Sequence, residues 1–259
     1  MIAISMTLGA CSALAAESPP FQPYQASYAV TRGNSEIGRV DVELSQRRDG
    51  LWHYVIESQA TAWYIKMLGI STSETSWVQW YRDRVLPLTY HHVSREPGSD
   101  RFWQHSYDWQ EMQTETRTHE GDLTVQLTSG VVDPLSLRLA AVVRIAEQAP
   151  NFESFTMQVL ERDEIEQQEY RYNGTEMLEI DGRCYRTAVF KRFRKEGSSR
   201  NYTAWHAESL GWMPVRIAHE DDGKPISLTL KEWHSSSIDL PAPLPCNPPS
   251  NGERQSQQD

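Results

Sequence analysis

Short segments of alternating apolar and polar residues recur along most of this chain and limit what it can fold into. In the segment 24–31, every second residue is Tyr, Ala or Val, and the residues between them are mostly polar. This period of two is typical of a strand with one buried face. Many such segments follow at short spacing, separated by turn sequences such as Arg48-Asp49-Gly50, Asn173-Gly174 and Asp181-Gly182. The pattern predicts a mainly β protein whose antiparallel sheet curves toward a barrel or clam.

One segment, at about residues 133–148, is the only long helical signal in the sequence. Asp133 is a good N-cap, because its carboxylate can accept hydrogen bonds from free N–H groups of the first turn. Pro134 would then occupy the first helical position, where a missing N–H costs nothing. Pro150 ends the helical pattern. The sequence therefore predicts one central helix among many strands.

The two sides of this helix differ in polarity. Leu135, Leu139 and Val142 form an apolar stripe, and Arg138 and Arg144 are assigned to the opposite, polar side. The stripe indicates that the helix packs on something apolar. It either seals the open side of a curved sheet or acts as a gate over a ligand cavity.

A second segment, Ala62–Ile70, is apolar without alternation and is predicted to be a short helix or a loop tucked into the sheet. Trp63, Met67 and Leu68 are its bulky members. Together with the helix residues of the apolar stripe, they are candidates for lining a ligand pocket; the alternative is plain core. The sequence also contains nine Trp and eleven Tyr, which can fill a wide interior or line an apolar pocket.

Residues 1–16 are interpreted as an export segment. The stretch before Ala13-Leu14-Ala15 is apolar and uncharged, and those three residues form a small-x-small cleavage site. Leu8-Gly9-Ala10-Cys11 also resembles a bacterial lipobox, in which Cys11 would carry the lipid. Two alternatives therefore stay open, a soluble periplasmic protein and an outer-membrane lipoprotein that faces the periplasm. Membrane association is expected only in the second.

The rest of the chain is predicted to be a single β-rich domain, residues 21–235, followed by a Pro- and Gln-rich disordered tail, 236–259. Cys184 and Cys246 remain after either cleavage, and such a pair in an oxidising compartment can form one disulfide. That bond would hold the tail against the domain. Two unpaired thiols are the alternative.

Composition and motifs exclude several classes of function. The net charge of −10 argues against nucleic-acid binding, which needs a basic surface. The sequence contains no Gly-x-Ser-x-Gly elbow, phosphate loop or zinc-type spacing of Cys and His. We therefore expect no enzyme, no metal site and no cofactor.

One basic cluster is present in this acidic chain. It consists of Arg186, Lys191, Arg192, Arg194 and Lys195. On a strand, the arginines would project from one face and the lysines from the other. The cluster could meet anionic lipid head groups or an acidic partner, or it could be a solvated hairpin end balanced by nearby carboxylates.

Four segments together resemble an exported bacterial family known only as domain of unknown function 3108. They are Tyr24-Gln25-Ala26-Ser27-Tyr28 with Ile37-Gly38, Val132-Asp133-Pro134-Leu135-Ser136, Gly182-Arg183-Cys184-Tyr185, and Trp212-Met213-Pro214-Val215-Arg216-Ile217. The resemblance implies a mostly antiparallel, half-open barrel with the helix packed in its mouth. That shape is similar to the carriers and receptors that move lipoproteins across the periplasm. The resemblance implies no activity and no catalytic residues.

The sequence thus favours a non-catalytic exported envelope protein that binds a hydrophobic or amphipathic ligand, such as a lipid or lipoprotein, or an envelope protein partner. One alternative is a structural or assembly factor without a ligand cavity. A cell-wall hydrolase is a further, weaker alternative.

The mass of the mature protein tests the export and disulfide predictions together. We expect an intact mass that begins at Ala16 and is two hydrogens lighter than the reduced chain, measured by mass spectrometry of protein purified from bacterial periplasm. A chain that begins at Cys11 and carries a lipid mass would instead establish the lipoprotein form.

Overall fold

The computed structural model describes residues 18–62, 69–194, 202–221, 224–236 and 246 of the chain. The side chains at 220, 221 and 224 are outside this description. Several parts of the sequence-based interpretation also lie outside the described residues: the export segment with Cys11, the pocket candidates Trp63, Met67 and Leu68, the basic residue Lys195, and most of the tail.

Fourteen strands make up most of the described chain. The first eight are β1 Tyr24–Arg32, β2 Ser35–Gln46, β3 Trp52–Ala60, β4 Ser71–Tyr81, β5 Arg84–Glu96, β6 Ser99–Asp108, β7 Gln113–Thr118 and β8 Gly121–Gln126. After helix α1, Ser136–Gln148, come β9 Phe155–Leu160, β10 Ile165–Ile180, β11 Arg183–Phe193, β12 Tyr202–Ala207, β13 Met213–Asp221 and β14 Lys224–His234. The predicted mainly β fold with one central helix is confirmed.

All fourteen strands belong to one sheet, in the order β8-β7-β6-β5-β4-β3-β2-β1-β14-β13-β12-β11-β10-β9. Within β1–β8 and within β9–β14, each strand pairs antiparallel with its neighbours in sequence, so the two groups are two meanders. The two meanders are joined by the pairing of β1 with β14, from Gln25 opposite His234 to Arg32 opposite Ile226. The first and last strands of the chain therefore meet in the middle of the sheet.

Helix α1 lies on the concave face of this sheet. Its residues Leu137, Leu139 and Ile145 belong to one buried cluster with Tyr54 of β3 and Phe190 of β11. The helix is buried on most of its surface, as expected for a helix that is apolar nearly all round. Within the described residues, no helix has the length and apolar character needed to cross a membrane.

The start of α1 is held by Asp133. Its Oδ1 accepts hydrogen bonds from the backbone N–H groups of Leu135 at 2.8 Å and Ser136 at 2.7 Å. Asp133 thus accepts hydrogen bonds from backbone N–H groups at the helix start, as predicted, but the N-cap position itself belongs to Leu135, directly before the first helical residue. The predicted helical position of Pro134 is wrong, because Pro134 and Leu135 form a turn and the helix begins at Ser136.

The sheet does not close into a barrel, because its end strands β8 and β9 do not pair with each other. The segment that leads into α1 runs beside β9 instead. Val132 donates its N–H to the Gln158 carbonyl at 3.0 Å and accepts from the Leu160 N–H at 2.8 Å. An ion pair of 3.2 Å joins Arg162, just after β9, to Glu120 between β7 and β8. The result is the half-open, clam-like sheet that the sequence predicts.

Two sequence-based expectations are corrected by the pairing. Asn173-Gly174 is not a turn between two strands but lies inside β10, where the register with β11 shifts between Tyr172 and Thr175. The same backbone freedom that suits glycine to a turn also suits it to a bulge. Strand β7 is polar on both faces, a pattern that favours an exposed strand, but it buries Thr114 and Thr116 against the interior.

Cys184 and Cys246 form a disulfide. Cys184 is at the start of β11 and is buried. The bond therefore ties residue 246 of the C-terminal segment to the sheet, as the sequence predicts.

Replacing Asp133 by Ala tests how far the fold depends on this cap. We expect Asp133→Ala to lower the free energy of unfolding by about 2–4 kcal/mol, because capping bonds are lost and buried donors are left without acceptors. Asp108→Ala is a matched control: Asp108 Oδ1 also accepts two backbone N–H groups, from Gln110 at 2.9 Å and Glu111 at 3.0 Å, but in an exposed turn. Urea unfolding should give a loss below about 1 kcal/mol for the control. Equal losses would contradict a special role for the buried cap.

Candidate functional site

The inward-facing side chains of the sheet are buried beside α1 and become partly exposed further along the strands. Directly paired residues share a face. The row formed by Tyr54, Ser76 and Tyr90 is fully buried beside α1. In the next row, Glu74 is half-buried and is paired with His92 and then Trp103, which are half-buried too. The helix thus covers only part of the concave face.

Further along, Ser58, Thr72 and Ser94 form another paired row, and all three are half-buried. The side chains that face inward here are not covered by α1. We call this uncovered region the concave basin and define it by Glu74, His92, Trp103, Arg138 and Tyr202.

Arg138 projects from α1 into the concave basin. Its guanidinium interacts electrostatically with Glu74 of β4, Tyr54 of β3 and Tyr202 of β12. Burial alone would lower the pKa of Arg138, but the Glu74 carboxylate and the tyrosines outweigh that effect and raise the pKa. The side chain is half-buried and stays charged.

Arg138 makes no hydrogen bond or ion pair with the part of the chain that the structure describes. Glu74, which bears the nearby negative charge, instead accepts a hydrogen bond from the Tyr90 hydroxyl at 2.9 Å. A guanidinium has five N–H donors. Those of Arg138 are therefore open to a ligand.

The tyrosines behind Arg138 form a fixed wall. The hydroxyl groups of Tyr24 and Tyr54 are hydrogen-bonded to each other at 3.0 Å, and the Tyr28 hydroxyl donates to the Pro214 carbonyl at 2.8 Å. Burial raises the pKa of all three phenols, so they stay neutral. The wall is apolar except for hydroxyls that already have partners.

The second meander supplies two more inward-facing arginines. The Arg192 guanidinium lies over the Tyr202 ring, 3.9 Å from its centroid. Arg194 forms ion pairs with Glu161 at 2.8 Å and Glu166 at 2.9 Å. Arg194 is thus neutralised inside the protein.

The predicted basic cluster is divided by the fold. Arg186 and Lys191 are exposed, and Arg186 lies 3.8 Å from Glu208. Arg192 and Arg194 face the interior instead, and Lys195 is outside the described residues. The structure does not bring the described members together as one surface patch.

The predicted pocket residues of the helix lie in the core. Leu135, Leu139 and Val142 each have 0% exposure. A ligand would reach them only if α1 moved, so their part in a pocket stays a prediction. The corresponding prediction for Trp63, Met67 and Leu68 concerns residues that the structure does not describe.

Sequence reasoning missed Arg138 by assigning it to the solvent side with Arg144. The structure separates them: Arg144 is exposed and bonded to Glu147 at 3.0 Å, whereas Arg138 faces the basin. A signal was present. Arg138 lies three, four and seven residues before Ala141, Val142 and Ile145 and so is in line with apolar positions, whereas Arg144 lies three residues before Glu147.

A cavity of about 540 Å³ lies on the outer side of α1, between the β4–β5 turn and β9. Val85, Ala140 and Val143 contribute to its apolar floor, and Arg82 and Arg84 to its charged rim. We call it the seam groove. It lies on the face of the helix opposite to Arg138.

Among the described residues, Glu179 with Cys184 and Cys246 is a group whose ligand atoms are close enough for a metal ion. The two sulfurs form the disulfide, so they are not thiolate ligands. This group gives no reason to place a metal there.

Asp133 links α1 to the sheet beside the concave basin. Its Oδ2 accepts a hydrogen bond from the Ser76 hydroxyl of β4 at 2.7 Å, and the carboxyl is fully buried. Burial raises the pKa of Asp133 from 3.8 to about 6, against the lowering effect of its hydrogen bonds. Burial of Asp133 thus opposes the ionisation of the carboxyl group that holds the start of α1.

Comparison with known proteins places this geometry among related folds. The family model described as "Protein of unknown function (DUF3108)" matches residues 24–231. The chain is similar to a solved structure from Brucella abortus that is described as a β-barrel-like protein of domain of unknown function DUF1849. The match covers 82% of this chain and 97% of that protein, with 9% sequence identity and a TM-score of 0.54. This likeness shows the fold alone.

A putative outer membrane lipoprotein-sorting protein domain from Vibrio parahaemolyticus covers 84% of this chain and 87% of its own, with 10% identity and a TM-score of 0.21. No curated protein matches the sequence significantly.

The ionisation of Asp133 predicts a pH dependence of stability. Because the pKa in the folded protein, about 6, is above the ordinary value of 3.8, the stabilisation from the neutral carboxyl is full below pH 4 and is lost as pH rises through 6. Relative to Asp133→Asn, the wild type should lose roughly 3 kcal/mol between those limits. Urea unfolding of both proteins at pH 4, 5, 6 and 7 measures this. Parallel pH profiles would show that Asp133 ionises freely in the fold.

Proposed function

Since the chain belongs to the DUF3108 family, whose function is unknown, we propose its function from the structure: it binds a hydrophobic or amphipathic ligand in the concave basin. We place this activity in the bacterial envelope, because the sequence predicts an export segment and because a disulfide such as Cys184–Cys246 is typical of an oxidising compartment. The protein acts by binding and does not catalyse a reaction.

The observation that carries this proposal is the uncovered concave face beyond α1. Trp103 is half-buried there and its ring stacks on His92, with 3.7 Å between centroids. Large aromatic side chains on a concave surface are typical of small-molecule sites.

The proposal that the protein is not an enzyme is supported by the state of two buried histidines. Burial lowers the pKa of His105 and of His206 to about 4, so both are neutral near pH 7. Their Nδ1 atoms are hydrogen-bonded to the Thr116 hydroxyl and the Trp212 carbonyl, each at 2.8 Å. Both rings are fixed as part of the packed interior.

The assembly-factor alternative would use the outer side of β8, Gly121–Gln126, because within the described residues β8 pairs only with β7. An exposed strand edge can accept a strand from another protein. This alternative requires no ligand in the concave basin, so one binding experiment separates the two.

The experiment is a fluorescence titration of the delipidated protein with N-phenyl-1-naphthylamine, an uncharged apolar probe. We expect saturable binding that Trp103→Ala weakens about fivefold or more, because an aromatic contact contributes on the order of 1 kcal/mol. Trp77→Ala is the matched control. Trp77 is also half-buried and stacks on a histidine, His53 at 4.1 Å, but on the opposite face of the sheet.

Binding that is unchanged by Trp103→Ala would place the probe elsewhere. If Met157→Glu, at a half-buried residue that lines the seam groove, abolished that binding, the site would be the seam groove. A complete lack of saturable binding would overturn the proposed function and favour the assembly factor. Leu139 and Val142 are unsuitable for charged substitutions in this test, because both are fully buried and a charge there would unfold the protein.

A further inference from the structure

We propose that Arg138 binds the anionic head group of an amphipathic ligand, a carboxylate or a phosphate, whose apolar part lies in the concave basin. This inference rests on the proposed function and specifies the chemistry of its ligand.

The first step is the position of Arg138. Its charge acts on Tyr24 of β1, Tyr54 of β3, Glu74 of β4 and Tyr202 of β12. Residues from both meanders therefore lie within electrostatic range of the guanidinium. Tyr24 and Tyr54 have only 3% and 2% exposure, so the charge sits against a buried wall.

The second step is the charge balance. Removing a cation from water costs free energy unless it is paired and hydrogen-bonded. Arg194 meets this requirement through Glu161 and Glu166, whereas Arg138 makes no ion pair within the described chain. Glu74 offsets the charge from a greater distance and gives its hydrogen-bonding capacity to Tyr90. A ligand anion would supply the pairing that the fold leaves out.

The third step is the geometry of recognition. The planar guanidinium fork matches carboxylate and phosphate oxygens, and such charge-assisted bonds are among the stronger ones in proteins. Half-buried apolar side chains of the inner surface, Val30 of β1, Trp103 of β6 and Leu228 of β14, pack against the core around the basin. An anionic head at Arg138 would leave the apolar part of the ligand on these side chains.

Glu74 provides a second test of the inference. A ligand anion at Arg138 enters the field of the Glu74 carboxylate, which opposes it. Glu74→Gln removes this opposition without changing the size of the side chain. It should therefore strengthen binding of an anionic ligand, in the direction opposite to loss of Arg138.

The test compares two probes that share the N-phenylnaphthylamine framework, one with a sulfonate, 1-anilinonaphthalene-8-sulfonate, and one without it, N-phenyl-1-naphthylamine. We expect Arg138→Met to weaken binding of the sulfonate probe about tenfold or more and to leave the neutral probe within about twofold. Arg144→Met, on the exposed side of the same helix, should leave both unchanged. Glu74→Gln should tighten binding of the sulfonate probe.

Competition identifies the class of ligand. Dodecyl phosphate should displace the sulfonate probe from the wild type about tenfold better than dodecanol, and Arg138→Met should remove this preference. Displacement by inorganic phosphate as effective as that by dodecyl phosphate would overturn the amphipathic ligand.

The two proposals fail in different ways. Equal sulfonate binding by wild type and Arg138→Met, with the neutral probe still bound, would overturn the role of Arg138 and leave the proposed function standing. If neither probe bound, the proposed function itself would fail. Arg138→Lys is a control for misfolding of Arg138→Met. It keeps the positive charge but loses the planar guanidinium, so its affinity for the sulfonate probe should lie between the affinities of the wild type and Arg138→Met.

Discussion

The pairing of β1 with β14 is the contact on which the rest of the structure depends. It joins Gln25–Arg32 to Ile226–His234, near opposite ends of the described chain, and turns two meanders into one sheet. All the other strand pairings are between sequence neighbours. Without this ladder, neither meander alone would surround α1, and the concave face would have no second wall. Such a distant pairing also has a high entropic cost of closure, so we expect it to form late in folding.

Helix α1 determines how this sheet can be used. It fills one part of the concave face with Leu137, Leu139 and Ile145, and its position is fixed by the buried bond between Asp133 and Ser76. The same helix points Arg138 toward the part that it leaves uncovered. A protein built only for stability would place an apolar residue there. Arg138 makes no ion pair within the described residues, and its half-buried charge beside Glu74 is the physical reason to look for a function at this point.

The sheet is open between its end strands β8 and β9. These end strands are linked by Val132 beside β9 and by the ion pair of Arg162 with Glu120, not by a continuous ladder. A closed barrel would fix the size of its interior. A sheet whose described end strands share no continuous ladder is not held to one size in this way, which is compatible with the bulky ligand that we propose.

The sequence by itself determined most of the strands, the central helix, the role of Asp133 as an acceptor at the helix start and the Cys184–Cys246 pair, because each depends on local patterns or on a simple count. Tertiary structure decided what each face meets. The alternation of residues cannot show that the polar face of β7 is buried. The positions of Thr114 and Thr116 in the sequence pattern are the same whether water or protein covers them. Nor can a turn motif show that Gly174 lies in a bulge opposite β11.

The candidate site was decided in the same way. The periodicity of α1 separates apolar from polar positions, but it does not say that a sheet surrounds the helix and encloses Arg138 while leaving Arg144 in solvent. The division of the basic cluster, with Arg186 outside and Arg194 paired inside, likewise depends on the path of β11. Charges acquire their role from neighbours distant in sequence, and only the folded sheet brings those neighbours together.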